Sequence, residues 1–232
     1  GDARVTREKL SPGIFHHIVK AFLPVSLPLH LTGGKAVADA SDPLKDAAKA
    51  AASIGYPVVM KIVSPQIIHK SDAGGVIVGV KDDAAAKEAF DKIVANAKNY
   101  NPDAEIKGVI IEEMAKPGLE LIVGGKIDPA FGRVLTFGLG GTMVEFHKDV
   151  GIRLLPAEDD ELRSLIREIK GYTLIKGYRG DAPKDEEFLF QVLKNACRFF
   201  EDNENVVEFD INPLRLYEKG GCAVDARVIV QD

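Results

Sequence analysis

The stretch YPVVMKIVSPQIIHKSDAGGVIVGV, residues 56–80, sets the tightest limits on what this chain can fold into. Two apolar, β-branched runs, Pro57 to Val63 and Val76 to Val80, read as strands joined as a hairpin. Their connection carries His69, Lys70, Ser71, Asp72, Gly74 and Gly75. At about twelve residues it is longer than a hairpin needs, and connections of that length are usually functional or disordered. An imidazole, lysine ammonium groups and a Gly-Gly pair are groups suited to handling phosphate.

The rest of the chain repeats the theme of adjacent strands. A weak helical pattern (Ile14, Ile18, Phe22) follows Ser11-Pro12 and ends at Pro24. Asp42-Pro43 opens an alanine-rich helix that stops at Gly55, and Asp82 or Asp83 caps another that runs to about Asn99. Ile106 to Glu112 reads as a buried strand. Glu120–Lys126 and Arg133–Phe137 read as strands around Asp128-Pro129, followed by a glycine turn, FGLGGT, at 137–142. Glu161–Ile169 and Asp185–Phe200 have helical apolar spacing. Val206–Ile211, Leu214–Tyr217 and Ala223–Val230 close the chain as three strands. Paired strands without strict βαβ alternation predict an α+β fold with largely antiparallel sheets. The segment Glu112-Glu113-Met114-Ala115-Lys116-Pro117-Gly118 is the candidate hinge, which divides the chain into lobes at 1–110 and 111–232.

With 232 residues, two lobes with real cores are within reach. A net charge of −5 argues against a nucleic-acid surface. Cys197 and Cys222 form no metal-ligand spacing and no disulfide framework, so a reducing, cytoplasmic compartment is expected. Ala21–Leu31 imitates the apolar core of a signal peptide, but Pro24, Pro28 and His30 interrupt it. No run approaches the ~20 apolar residues of a membrane span. The chain opens on Gly1, which fits a trimmed start.

Phosphate-loop and dinucleotide signatures are absent: there is no GxxxxGK[ST], and Met143 stands where GLGGTM would need its third glycine. Lys61 lies within an apolar strand. Alternation puts it on one face with Val59 and Val63, which favours an anion partner over a solvated strand edge. Glu112, Glu113 and Glu120 sit at strand ends, as ligands or as solvated termini. In FDINP, Asp210 and Asn212 share a face, and Asp225 lies in the next apolar strand. Oxygen donors from adjacent strands suit magnesium, which needs only one or two carboxylates beside phosphate oxygens. His16, His17, His30 and His147 show no metal-ligand spacing.

Taken in order, the strand lysine, HKSDAGGV, IIEEM, FGLGG, KDVGIRL, REIKGY, KGYRG and DINP followed by AVDAR resemble the β subunit of ADP-forming acyl-CoA (acetyl-CoA) synthetases over residues 40–232. That family has the ATP-grasp fold and is related to the succinyl-CoA synthetase β subunit. The resemblance implies two lobes clamping ATP or ADP, and the reaction acyl-CoA + ADP + phosphate ⇌ carboxylic acid + CoA + ATP. It implies an α subunit that carries the CoA site and a phosphohistidine, in an α2β2 assembly. By the same resemblance His69 relays the phosphoryl group to ADP, and Lys61 and Lys70 contact phosphates. Gly74 and Gly75 let the backbone approach them. The backbone at Glu113 and Met114 reads adenine, with Glu112 beside it and Glu120 near the ribose. Asn212 and Asp225 hold magnesium, and Asp210 orients the phosphohistidine. His147 departs from the family, where an aliphatic residue is expected. Two alternatives stay open: an ATP-grasp carboxylate ligase that forms an acyl-phosphate directly, and a nucleotide-binding module without catalysis.

Overall fold

The computed structural model describes residues 35–37, 43–67, 70–140 and 149–231, with side chains from residue 46 onward. The candidate helix after Ser11-Pro12, the Ala21–Leu31 run, His69, His147 and the end of the glycine turn lie outside the described residues. Two compact units result, one spanning residues 32–116 and the other including residues 117–232.

In the first unit, strands β1 (Lys35–Val37), β2 (Val58–Val63), β3 (Val76–Val80) and β4 (Gly108–Glu113) form an antiparallel sheet in the order β1-β4-β2-β3. Helices α1 (Pro43–Ile54) and α2 (Asp83–Tyr100) supply the other layer. Alternation along β2 and β4 sends Val58, Met60, Ile62, Val109 and Ile111 into one core with Ala47, Ala51, Ala86, Phe90, Ile93 and Ala97. Alanine on α1 allows close approach. That helix ends at Gly55, whose φ of 100° is the left-handed conformation of a C-cap and whose N–H donates to the Ala51 carbonyl at 3.0 Å. Asp82 caps α2 by accepting from the Ala85 N–H at 2.8 Å. β4 is an interior strand of this sheet, so the unit ends after Lys116 and keeps Gly108–Glu113 whole, where the sequence placed a division at 110/111.

In the second unit, β5 (Leu119–Asp128), β6 (Gly132–Leu139), β7 (Val150–Leu154), β8 (Val206–Leu216), β9 (Gly221–Ala223) and β10 (Ala226–Val230) form a six-stranded antiparallel sheet. Its order is β10-β8-β5-β6-β7, and β9 also pairs with β8. Helices α3 (Asp159–Glu168), α4 (Tyr172–Ile175) and α5 (Glu186–Asp202) follow β7 in the chain. Leu121, Val123, Leu135, Phe137, Phe209 and Ile211 from the sheet share a core with Leu162, Leu165, Leu193 and Phe200 from the helices. Phe200 meets Phe209 edge to face, with centroids 5.3 Å apart. Among the described residues no helix is long and apolar enough to cross a membrane.

The α+β class and the antiparallel pairing follow the sequence, but several elements differ. The two closing strands expected at 206–211 and 214–217 are one strand, β8. Between the pairs Leu121↔Leu214 and Val123↔Ile211, Asn212 and Pro213 together oppose Ile122. This is a β-bulge, which tolerates a proline that has no N–H for the ladder. Opposite the same point, the strand expected at 223–230 breaks into β9 and β10 at Val224-Asp225. β7, which lies in the KDVGIRL motif but was not read as a strand, turns Val150, Ile152 and Leu154 to solvent, while Arg153 turns to Glu168 of α3 in a two-pronged ion pair (2.9 and 2.6 Å).

Candidate functional site

The residues singled out in the sequence fall on both units. In the first, β2 places Lys61 on the face opposite the helices, 9% exposed, with its Nζ 2.6 Å from a carboxylate oxygen of Glu112. The anion that Lys61 meets here is an internal one, the Glu112 carboxylate. Glu112 is 8% exposed and shares the Lys61 face, because β4 turns Val109 and Ile111 the other way. Glu113, at the end of β4, is exposed, and Met114 just beyond it is half-buried.

The connection after β2 closes in a tight turn. Gly75 N–H donates to the Lys70 carbonyl (2.7 Å), Gly74 N–H to Ser71 (3.0 Å), and Ile62 N–H to Gly75 (2.7 Å). Gly74 has φ 61°, and its carbonyl accepts from the Asn96 side chain of α2 at 2.9 Å. A Cβ on Gly75 would come within 2.5 Å of Ile62 Cγ2. Both glycines are therefore required by the turn itself, apart from any phosphate. Lys70 is half-buried where the turn begins.

In the second unit, β8 presents Glu208, Asp210 and Asn212 on the face away from the helices, since Phe209 and Ile211 are in the core. The bulge at Asn212-Pro213 and the break between β9 and β10 meet here. Asn212 N–H donates to the Asp225 carbonyl at 3.1 Å, and Val224 N–H to the Pro213 carbonyl at 3.0 Å. The backbones of the two expected magnesium ligands are thereby held side by side, Asn212 at the bulge of β8 and Asp225 at the break between β9 and β10. One amide oxygen and one carboxylate fit a cation that keeps most of its shell for water and phosphate. Among the described residues no three His, Cys, Asp or Glu side chains cluster to hold a metal by themselves, so such an ion would draw its remaining oxygens from its ligand.

Asp210 faces Arg227 across the β8–β10 pair. Burial pushes its pKa up, the Arg227 guanidinium pulls it back, and the carboxylates of Glu208 and Asp225 push it up again; the sum is a raised value. Arg227 is ion-paired to Glu208. On the other side of β8, Gly124 of β5 lies opposite Asp210, and a Cβ there would stand 3.7 Å from its carboxylate. Glu120 is half-buried and paired by register with Arg215, whose Nε and Nη2 both donate to one of its oxygens (3.1 and 2.9 Å). Arg215, Arg227 and Gly124 were missed in the sequence. Alternation in AVDARVIV does put Asp225 and Arg227 on one face, but the partners of Arg215 and Gly124 are 95 and 86 positions away and follow only from strand order.

The description "ATP-grasp domain" belongs to the family model that matches residues 36–230. The β subunit of ADP-forming acetate–CoA ligase I from Pyrococcus furiosus is 48% identical over 186 residues, which is 80% of this chain and 80% of that one. The ADP-forming 4-hydroxybutyrate–CoA ligase of Nitrosopumilus maritimus is 50% identical over 185 residues; the match takes in 79% of this chain but 26% of that protein. Among solved structures, acetyl-coenzyme A synthetase 1 of Ca. Korarchaeum cryptofilum, in complex with coenzyme A, Ca-AMPCP and HgCl+, is similar with a TM-score of 0.83 at 40% identity, covering 93% of this chain and 90% of that one. A second structure of that protein holds coenzyme A and Mg-AMPPCP, with a phosphohistidine segment pointing towards the nucleotide binding site; its TM-score is 0.75 at 37% identity, covering 93% and 89%. A chain that matches the family over most of its length, and a β subunit at near half identity over four fifths of both proteins, belongs to the ATP-grasp family of ADP-forming acetate–CoA ligase β subunits.

Proposed function

We propose that this chain is the nucleotide-binding β subunit of an ADP-forming acyl-CoA ligase, which with an α subunit interconverts acyl-CoA, ADP and phosphate with carboxylic acid, CoA and ATP. The observation that carries this reading is the seam on β8, where Asn212 and Asp225 are held together with Asp210 one alternation away on the same face. Phosphoryl transfer asks a protein chiefly for positioning and for charge to offset the phosphates. Lys61 and Lys70 supply positive charge, with Gly74 and Gly75 shaping the turn beside Lys70. The backbone at Glu113 and Met114 receives the adenine, and Glu120 the ribose. Magnesium, when held by Asn212 and Asp225, offsets charge on the phosphates.

In this reading His69 accepts the phosphoryl group from a phosphohistidine of the α subunit. The donor N–P bond breaks as the His69 N–P bond forms, and a terminal ADP oxygen then takes the group to give ATP. Asp210 orients the incoming phosphohistidine of the α subunit by accepting a hydrogen bond from the ring N–H that is not phosphorylated, which fixes the tautomer. The name of the Pyrococcus furiosus relative supports an α partner, and the phosphohistidine segment of the Ca. Korarchaeum cryptofilum protein supports a phosphoryl carrier reaching a nucleotide site. CoA and acyl binding fall to the α subunit, in an α2β2 assembly working in the cytoplasm.

Two measurements test this. Calorimetry on the purified chain should show ADP binding that depends on magnesium and is lost in Asp225→Ala. After mixing with an α subunit, magnesium and γ-³²P-ATP, label should appear on this chain at His69 and vanish in His69→Asn. Full ligase activity of His69→Asn, or turnover by this chain without a partner, would overturn the assignment.

A further inference from the structure

The Lys61–Glu112 pair is an odd thing to find inside a small sheet. Lys61 lies mid-strand in β2 with Ile110 of β4 and Val76 of β3 as its cross-strand neighbours, and Val59 and Val63 on its own face. Glu112 stands opposite Val59, so the pair is diagonal, within reach of long side chains. Both side chains are about nine-tenths buried and meet at 2.6 Å. As a source of stability such a pair is poor, because desolvating both charges costs about what their attraction returns, and apolar residues of the same size would serve as well.

We propose that Glu112 is a positioning residue for Lys61: it fixes the ammonium on the face of the first sheet away from its helices for a nucleotide phosphate, and it acts on the nucleotide through Lys61 alone, without reading the base. The inference rests on the nucleotide reading above and departs from the expectation that put Glu112 beside adenine. The geometry favours the ammonium, since one carboxylate oxygen is already taken by Lys61. Glu113, the last residue of the strand, is exposed where Glu112 is buried.

The test compares ADP with adenosine, which has the base and ribose but no phosphate. In the full chain, Glu112→Gln keeps the side-chain volume and removes the charge. ADP affinity should fall about tenfold, a clear step on a binding isotherm, while adenosine affinity, read by displacement of a fluorescent nucleotide, stays unchanged. In a Lys61→Met background the same substitution should have no further effect on ADP. Where Glu112→Gln folds poorly, Lys61→Met combined with Glu112→Met replaces the pair by apolar side chains; it should fold, bind adenosine as the parent does, and bind ADP weakly. Equal losses for adenosine and ADP, a Glu112 effect that persists in Lys61→Met, or unchanged ADP affinity would each overturn the proposal while leaving nucleotide binding intact. Absence of ADP binding by the parent chain would remove the nucleotide reading, and this inference with it.

Discussion

Asp210 shows how one residue sets function against stability. Its carboxyl is burdened mainly by burial, with Glu208 and Asp225 adding to the load and Arg227 only partly relieving it, so it holds its proton more tightly folded than unfolded. A raised folded-state pKa stabilises below the unfolded value, and that contribution is lost as pH rises through the folded value. At neutral pH the ionised Asp210 is therefore a cost. Asp210→Asn should raise the urea midpoint at pH 7 over the parent, and the advantage should shrink on acidification and disappear below about pH 4, the ordinary aspartate range. The same variant should lose phosphoryl transfer. A midpoint at pH 7 equal to or below that of the parent would contradict the assignment of burial as the dominant cause. None of this could be read from FDINP alone: alternation gave the face, but the burial that loads the carboxyl, and the Arg227 that partly relieves it, come from tertiary packing.

At the scale of elements, α5 is fastened at its N-terminus by one side chain. Asp185 accepts from Phe188 N–H at 2.9 Å as an N-cap, and its second oxygen accepts from Gly220 N–H at 2.8 Å in the turn between β8 and β9. Its own N–H donates to the Tyr217 carbonyl at 2.9 Å. Asp185→Ala should cost about 1–2 kcal/mol for the cap, measured by urea denaturation, and Asp185→Asn should recover part of it. The helix was legible from its apolar spacing, but Asp185 was not singled out as its cap. The bulge in β8 was not legible. Asn212-Pro213 looks like the end of a strand until β5 shows two residues set against Ile122. β7 was not read as a strand, and that its apolar residues Val150, Ile152 and Leu154 turn to solvent is set by the sheet, not by the alternation itself. The glycines of HKSDAGG were read for phosphate, and the turn explains them first through Ile62 and Asn96.

Over the whole molecule, the two thiols report on integrity. Cys197 sits in the core of the second unit, where burial pushes its pKa up to about 12, and Cys222 is 2% exposed. Thiolate, not thiol, reacts with alkylating reagents. Native protein at pH 8 should therefore leave both unlabelled over a time in which urea-unfolded protein labels fully; rapid native labelling of Cys197 would mean that the core opens readily. Much of the architecture was legible in the sequence, because paired apolar runs and capped helices are local. The site was legible only as a set of residue types. Which of them touch depends on strand order, as the joining of Asn212 to Asp225 and of Lys61 to Glu112 shows.

The register of β8 carries a further consequence, in the currency of error. Phe209 and Ile211 face the core, and Asp210 and Asn212 face out, so a copy slipped by one residue would swap the two sets. It would drive a carboxylate and an amide into the packed layer and expose a phenylalanine. Such a copy fails as a solid before it fails as a catalyst. The strand that bears the chemistry is thus proofread by the core behind it, and an inactive but well-folded misregistered form has no stable place to exist.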